Sequence, residues 1–124
     1  MKILLSIKPE YVKQILNGTK RFEYRKRIFK NRNVNVVVIY ATKPIGKVVG
    51  EFSIRGIIKD NPNKIWSLTN EYSGISKTSF DNYFGDVQEG FAIEIDHFRK
   101  YKKELELSEV SQKVKNAPQS FIYI

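Results

Sequence analysis

The chain contains no cysteine, which excludes disulfide bridges, thiolate metal sites and a cysteine nucleophile. It has one histidine, His97. A lone imidazole builds a zinc site only where several carboxylates converge on it, and the sequence suggests no such convergence, so no metal or other cofactor is expected. No apolar run approaches the roughly 20 residues needed to cross a bilayer. The opening Met1-Lys2-Ile3-Leu4-Leu5-Ser6-Ile7-Lys8-Pro9 has one basic residue before its apolar stretch. That stretch is too short for a secretory core and no small-residue cleavage site follows it, so it reads as a first strand. A cytoplasmic protein with no membrane partner is expected. Also missing are a glycine-rich phosphate loop, a nucleophile elbow and a paired-histidine metal motif.

Acidic residues are scarce beside basic ones. Asp and Glu number 13 against 22 Lys and Arg, for a formal net charge of +9. The excess is clustered. Residues 20–32 carry Lys20, Arg21, Arg25, Lys26, Arg27, Lys30 and Arg32 against Glu23 alone, and Arg99-Lys100-Tyr101-Lys102-Lys103 forms a second cluster. Clustered cations attract polyanions, of which nucleic acid is the commonest in a cell. The alternative is a solvated, solubilising surface. The basic runs adjoin no amphipathic helix with a large apolar face, which argues against anionic membrane.

The 124 residues, 41% of them hydrophobic, predict a single folded domain over 1–124. Residues 2–7 predict a strand. Pro9 suits the first turn of a helix, Tyr11, Val12, Ile15 and Leu16 recur at helical spacing, and Asn17-Gly18 is a helix-ending signal. Val34–Tyr40 is dense in β-branched residues and predicts a buried strand. Val48–Ile58 predicts another, with Gly50 and Gly56 as bulge or close-packing points. Ile65, Leu68, Thr69 and Tyr72 predict one face of a helix capped by Gly74. Ser76 begins a second short helix carrying Phe80, Tyr83 and Phe84 and closed by Gly85. Phe91–Asp96 alternates as a strand with one wet face, while 97–107 fits either its continuation or a bend. A brief helix from Leu107 and a last strand at Phe121–Ile124 complete the reading. About six strands with short helices between them, without regular βαβ alternation, predict an α+β, mainly β fold: a small mixed β-barrel with short peripheral helices.

The densest chemistry follows Gly18. Lys20, Glu23 and Arg25 stand at i, i+3 and i+5. In extended backbone Glu23 and Arg25 share a face, and Lys20 reaches it if the turn is still uncoiling. A cation, an acceptor and a planar guanidinium fork can hold a polar ligand. The same residues also fit a salt-bridged strand edge. Glu23, between two cations, is expected to sit as an anion with a lowered pKa. Among the aromatics, Trp66 and Tyr83 are the candidates for stacking on a base, since each ends in a hydrogen-bonding group. Arg25, Lys26, Arg27, Lys30 and Arg32 are the candidate phosphate contacts.

The run Leu5-Ser6-Ile7-Lys8-Pro9, with Ile15-Leu16-Asn17-Gly18-Thr19-Lys20-Arg21-Phe22-Glu23-Tyr24-Arg25, resembles the opening of ASCH domains, whose signature is G-x-K-x-x-E-x-R. Ile39-Tyr40-Ala41-Thr42-Lys43-Pro44 followed by Gly50 is similar to the family's second landmark. Gly74-Ile75-Ser76, Phe80, Tyr83-Phe84 and Ala117-Pro118-Gln119-Ser120-Phe121 are similar to later ones. The resemblance implies a PUA-like β-barrel and a ligand cleft beside the first motif, reached by Lys20, Glu23, Arg25, Tyr40, Thr42, Lys43, Trp66 and Tyr83. It implies binding of RNA, other single-stranded nucleic acid or a nucleotide-like molecule, with a regulatory role. It also implies an enzymatic alternative. Some relatives hydrolyse the acetyl amide of N4-acetylcytidine with a lysine, a threonine and a glutamate. Here Lys20 matches the lysine, Glu23 replaces the threonine, and Glu71 stands for the later glutamate across a variable segment. A carboxylate does not replace a hydroxyl nucleophile in that chemistry. Other relatives have been proposed to cut RNA, a task for which Glu23 would be the base and Lys20 and Arg25 the charge stabilisers.

Overall fold

Alternating apolar residues and well-placed turn chemistry set out the elements in order. The computed structural model describes all 124 residues. The elements are β1 (Lys2–Ile7), α1 (Pro9–Asn17), β2 (Phe22–Arg25), β3 (Val36–Ala41), β4 (Lys47–Asp60), α2 (Pro62–Thr69), a 3₁₀ turn (Asn70–Tyr72), α3 (Lys77–Phe84), β5 (Gly90–Leu105), α4 (Leu107–Val110) and β6 (Phe121–Tyr123). No helix is long and apolar enough to cross a membrane.

The strands form one mixed sheet in the order β2-β5-β4-β3-β1-β6. Only β1 and β3 run parallel; every other neighbouring pair is antiparallel. The PUA-like β architecture predicted from the sequence is present as a curled half-barrel, with β2 and β6 as its two edges. The long strands β4 and β5 carry the curl. Their register shifts between Val48 and Gly50, between Ser53 and Ile54, and between Ile54 and Gly56. Each irregularity bends the ladder and adds local twist. At Gly50 the two strands press together so closely that a Cβ would lie 2.6 Å from the Arg99 carbonyl oxygen. The segment after Asp96 continues as strand, pairing with β4 as far as Leu105.

β1 and β3 are buried on both faces, which explains their unbroken apolar runs. Ile3, Leu5 and Ile7 pack with Val37, Ile39, Phe52 and Ile93 beneath α1. Leu4, Val38, Val48 and Val114 fill the other face. Tyr24, Ile65, Phe80, Phe84 and Ala92 form a third cluster, where α2 and α3 cover the end of the sheet. Asn61 accepts a hydrogen bond from the Lys64 amide at 2.9 Å and Ser76 one from Ser79 at 3.0 Å, so both helices start at side-chain caps. One helical face differs from the expectation. α2 ends at Thr69 and buries Ile65 and Thr69, while Leu68 is 55% exposed and Tyr72 lies outside on the 3₁₀ turn. Thr69 is drawn inward by hydrogen bonding: its hydroxyl lies 2.7 Å from the Ile65 carbonyl and 2.7 Å from the Tyr24 phenol. A carbonyl only accepts, so the threonine proton goes to Ile65 and Tyr24 donates to Thr69.

Candidate functional site

The site begins where α1 ends. Gly18 adopts φ 84°, in the left-handed region open to glycine. The amides of Thr19 and Lys20 both close on the Gln14 carbonyl at 3.1 Å. This reversal turns Lys20 inward, and only 2% of it stays exposed. Its Nζ donates to the Ser73 carbonyl at 2.7 Å. The ammonium lies 4.8 Å from the Tyr24 ring centroid and 5.1 Å from that of Tyr11, which is cation–π geometry. Burial pushes the Lys20 pKa down, partly opposed by the charge of Glu23. Gly74 makes room for this arrangement. It sits at φ 69°, and a Cβ there would fall 2.6 Å from the Lys20 Cβ.

β2 then brings Glu23 and Arg25 to the same place. Glu23 is 7% exposed. Its Oε2 lies 3.7 Å from Arg25 Nη1, a long ion pair. Burial raises the Glu23 pKa, and the opposing pull of Lys20 and Arg25 does not cancel that rise. The expected lowered pKa is therefore corrected: two neighbouring cations do not compensate for loss of solvent when neither makes a short contact with the carboxylate.

Lys20, Glu23 and Arg25 line one cleft of about 480 Å³, between the β1–α1 corner, β2 and α3. Lys8 and Tyr11 border it from the corner, and Ser79, Asn82 and Tyr83 from α3. Its size suits a small polar ligand such as a nucleotide. The Tyr83 phenol oxygen accepts from the Lys26 amide at 3.2 Å, and Lys26 Nζ lies 5.2 Å from the Tyr83 ring. Burial raises the Tyr83 pKa, so this phenol stays protonated at neutral pH. Its proton has no acceptor within the protein, which leaves it free for a ligand. Tyr24, whose pKa is pushed up to about 12 by burial, is likewise a neutral phenol.

Other residues singled out from the sequence lie elsewhere. Tyr40 packs against the Leu4–Val38–Val48 cluster. Thr42 and Lys43 occupy the turn after β3. Trp66 packs against Phe80, its ring 4.9 Å away, at the edge of the third cluster. Glu71 is exposed on the 3₁₀ turn. None of these five lines the cleft. Conversely, Lys8, Tyr11, Ser79 and Asn82 line the cleft although they were not among the site residues expected from the sequence. The signal available for Tyr11 was its phenol in an otherwise aliphatic helical stripe. For Ser79 and Asn82 it was polar residues on a helix whose other face is Phe80 and Phe84.

The basic segment continues directly from the cleft wall. Lys26, Arg27, Lys30 and Arg32 are exposed, and none of them makes an ion pair. In the second basic cluster Arg99 is engaged by Glu51 at 3.1 Å, and the cluster lies on the far half of β5, away from the cleft.

The fold has close counterparts. A crystal structure of an ASCH protein from Zymomonas mobilis superposes with a TM-score of 0.89 at 25% identity, covering 99% of this chain and 87% of that one. The N-terminal domain of McrB from Staphylothermus marinus superposes more loosely, with a TM-score of 0.53 at 12% identity over 92% of this chain and 81% of that one. In sequence, an ASCH domain-containing ribonuclease from Zymomonas mobilis is 30% identical over 90 residues, 73% of this chain and 61% of the relative. This chain thus spans less than two thirds of that relative's length. A large ribosomal subunit protein uL22 from Ureaplasma parvum is 31% identical over 88 residues, 71% of this chain but 28% of that protein. The sequence profile of the ASCH domain matches residues 5–119. With that match spanning the Lys20–Arg25 motif and nearly the whole half-barrel, the chain belongs to the ASCH domain family.

Proposed function

We propose that the protein binds single-stranded RNA, seating one nucleotide in the Lys20–Glu23–Arg25 cleft and the adjoining phosphates on Lys26, Arg27, Lys30 and Arg32. The observation that carries this reading is the continuity of the cleft with four exposed cations that no carboxylate neutralises. Within the cleft Glu23 accepts from a base amino group, Arg25 and Lys20 supply positive potential, and the Tyr83 hydroxyl donates. The likeness to a protein named a ribonuclease supports RNA as the polymer.

A second reading is favoured by the state of Glu23. A buried carboxyl whose pKa is raised is a better base than a solvated one. In that reading Glu23 takes the proton of a ribose 2′-hydroxyl, the oxygen attacks phosphorus to close a 2′,3′-cyclic phosphate, and the 5′-oxygen leaves as a hydroxyl with a proton taken from water. Lys20 and Arg25 stabilise the charge gathered on the phosphoryl oxygens.

One titration tests both readings. A fluorescently labelled single-stranded RNA is followed by anisotropy at rising salt, and samples are run on a denaturing gel. Four neutralised phosphates predict a loss of about 50-fold in affinity between about 50 and 200 mM salt, at about 0.7 per phosphate in the log–log slope. Replacing Lys26, Arg27, Lys30 and Arg32 by alanine is expected to remove most of that slope. Salt-independent binding refutes the phosphate contact. Chain cleavage that disappears in Glu23→Gln establishes the enzymatic reading.

A further inference from the structure

Two exposed tyrosines hold the two ends of the basic segment. At its start the Lys26 amide donates to the Tyr83 phenol oxygen at 3.2 Å. At its far end the Lys30 and Asn31 amides both donate to the Tyr123 phenol oxygen, at 3.1 and 3.3 Å. Tyr83 comes from α3 and Tyr123 from the edge strand β6, so the segment is strung between elements at opposite edges of the sheet. Beneath it Phe29 is buried, its ring 6.1 Å from that of Phe121, which anchors the middle of the segment. The anchoring leaves Lys26, Arg27, Lys30 and Arg32 exposed.

The chemistry of the two phenols is the same. Each oxygen accepts from the backbone of the segment, and the protein offers neither hydroxyl an acceptor. Tyr83 and Tyr123 are 37% and 44% exposed as residues; Lys26 Nζ already lies 5.2 Å from the Tyr83 ring centroid, so Tyr123 offers the freer ring. A hydroxyl donor beside cations without a carboxylate partner suits a phosphate oxygen, and a partly exposed ring suits a nucleobase. Such pairs of stacking face and cation are how a single strand is gripped without reading its sequence.

We propose that Tyr83 and Tyr123 clamp residues 26–32 as a preformed track for the phosphodiester backbone, so that a single strand leaving the cleft is carried over the segment to the β6 edge. This rests on the reading of the cleft above and adds the path of the strand. Tyr123, which does not line the cleft, becomes a positioning residue for an extended ligand.

The test is Tyr123→Phe. It keeps the ring and changes no charge, but it removes the acceptor of two amides. Affinity is measured for a labelled RNA oligonucleotide, the deoxy oligonucleotide of the same sequence, and a single mononucleotide, each across salt. The expected result is a fall of about threefold or more in the ratio of oligonucleotide to mononucleotide affinity, with a shallower salt slope. Attraction by net surface charge alone leaves that slope untouched, because the charge is the same. Hydrogen exchange of the Lys30 and Asn31 amides is expected to speed up in the variant. Lys30→Gln with Arg32→Gln is the second arm and is expected to lower the slope by up to about 1.4. A like fall with RNA and DNA assigns the shared phosphodiester as the ligand, and a fall with RNA alone assigns the ribose. Unchanged slope and ratio in Tyr123→Phe, whatever the charge variant does, overturns the track and leaves the cleft reading standing. No oligonucleotide binding by the wild-type protein overturns both.

Discussion

Gly74 is where a single methyl group tests how the site is built. The residue sits at φ 69°, and an added Cβ would fall 2.6 Å from Lys20 Cβ, 2.7 Å from Lys20 Cγ and 2.7 Å from Gln14 Oε1. Two costs add in Gly74→Ala. Holding an L-residue in the left-handed region costs about 1–2 kcal/mol. Forcing a methyl into a contact about 1 Å too short costs about 1–3 kcal/mol more, since the Lys20 stem is buried and has nowhere to move. For a chain of 124 residues each kcal/mol moves the melting temperature by about 4 °C, so the expected drop is on the order of 10 °C. Thermal unfolding followed by circular dichroism measures it, and Gly56→Ala is the control. A Cβ at Gly56 meets nothing within 4 Å, and that glycine does not have a positive φ. The control is expected to stay within about 2 °C of wild type or to gain slightly, because alanine reduces the entropy of the unfolded chain. The same Gly74→Ala protein is expected to lose RNA affinity, since Lys20 is pushed off the Ser73 carbonyl. A melting temperature for Gly74→Ala within about 2 °C of wild type refutes the argument.

Further outcomes follow from the same geometry. The raised pKa of Glu23 means the folded protein holds that proton more tightly than the unfolded chain, so stability falls as pH rises from the ordinary value of 4.5 into the raised range. Glu23→Gln abolishes that slope; denaturant midpoints of the two proteins that run parallel from pH 4 to pH 8 would show that burial does not dominate at Glu23. Thr69→Val leaves the buried Tyr24 phenol without its acceptor and is expected to cost about 1–3 kcal/mol by urea unfolding, with an unchanged midpoint counting against the hydrogen-bond assignment. N4-acetylcytidine is expected to survive incubation with the protein, because the hydroxyl that would take the acyl group is a carboxylate here; release of cytidine that vanishes in Glu23→Ala overturns that view.

The order of elements was legible in the sequence because its signals are local. Asn17-Gly18, Asn61-Pro62, Ser76 and Gly85 each act within one turn of the backbone, and each lies at the boundary it predicts. Gly50 and Gly56 were legible as irregularities because a missing side chain in a β-branched run has few other uses. The failures were tertiary. Leu68 and Thr69 are adjacent, and which one turns inward depends on Tyr24, 45 residues earlier in the chain. The membership of the cleft was legible at Lys20 and along β2, on α3 at Tyr83 alone, and not on α1. Lys20, Glu23 and Arg25 sit in one short segment, whereas Tyr11, Ser79 and Asn82 reach the cleft only because the sheet curls and α3 folds back beside β2. The sign of the Glu23 shift was missed for a related reason. Sequence shows which charges are near one another, but not how much water remains between them.

The two sequence readings of Lys20, Glu23 and Arg25 make different demands on solvent and distance. A salt-bridged strand edge keeps its charges hydrated and its contacts short, and contributes about 0–1 kcal/mol. Here the opposite holds. Lys20 and Glu23 are almost wholly buried, the Glu23–Arg25 contact is stretched to 3.7 Å, and Lys20 gives its one hydrogen bond to a backbone carbonyl rather than to the carboxylate. Burial drives the two pKa values toward each other, one down and one up, so each group is held nearer its neutral form than it would be in water. Charges buried at such distances destabilise a fold unless something else completes them. The neighbouring ion pairs show that this chain can form short contacts where only stability is at stake: Lys77 meets Asp81 at 2.7 Å and Arg55 meets Asp96 at 2.8 Å. A pair left wide, dry and beside an open cleft is instead suited to receive a third polar group between them. That difference in distance and burial favours the ligand site over the strand edge.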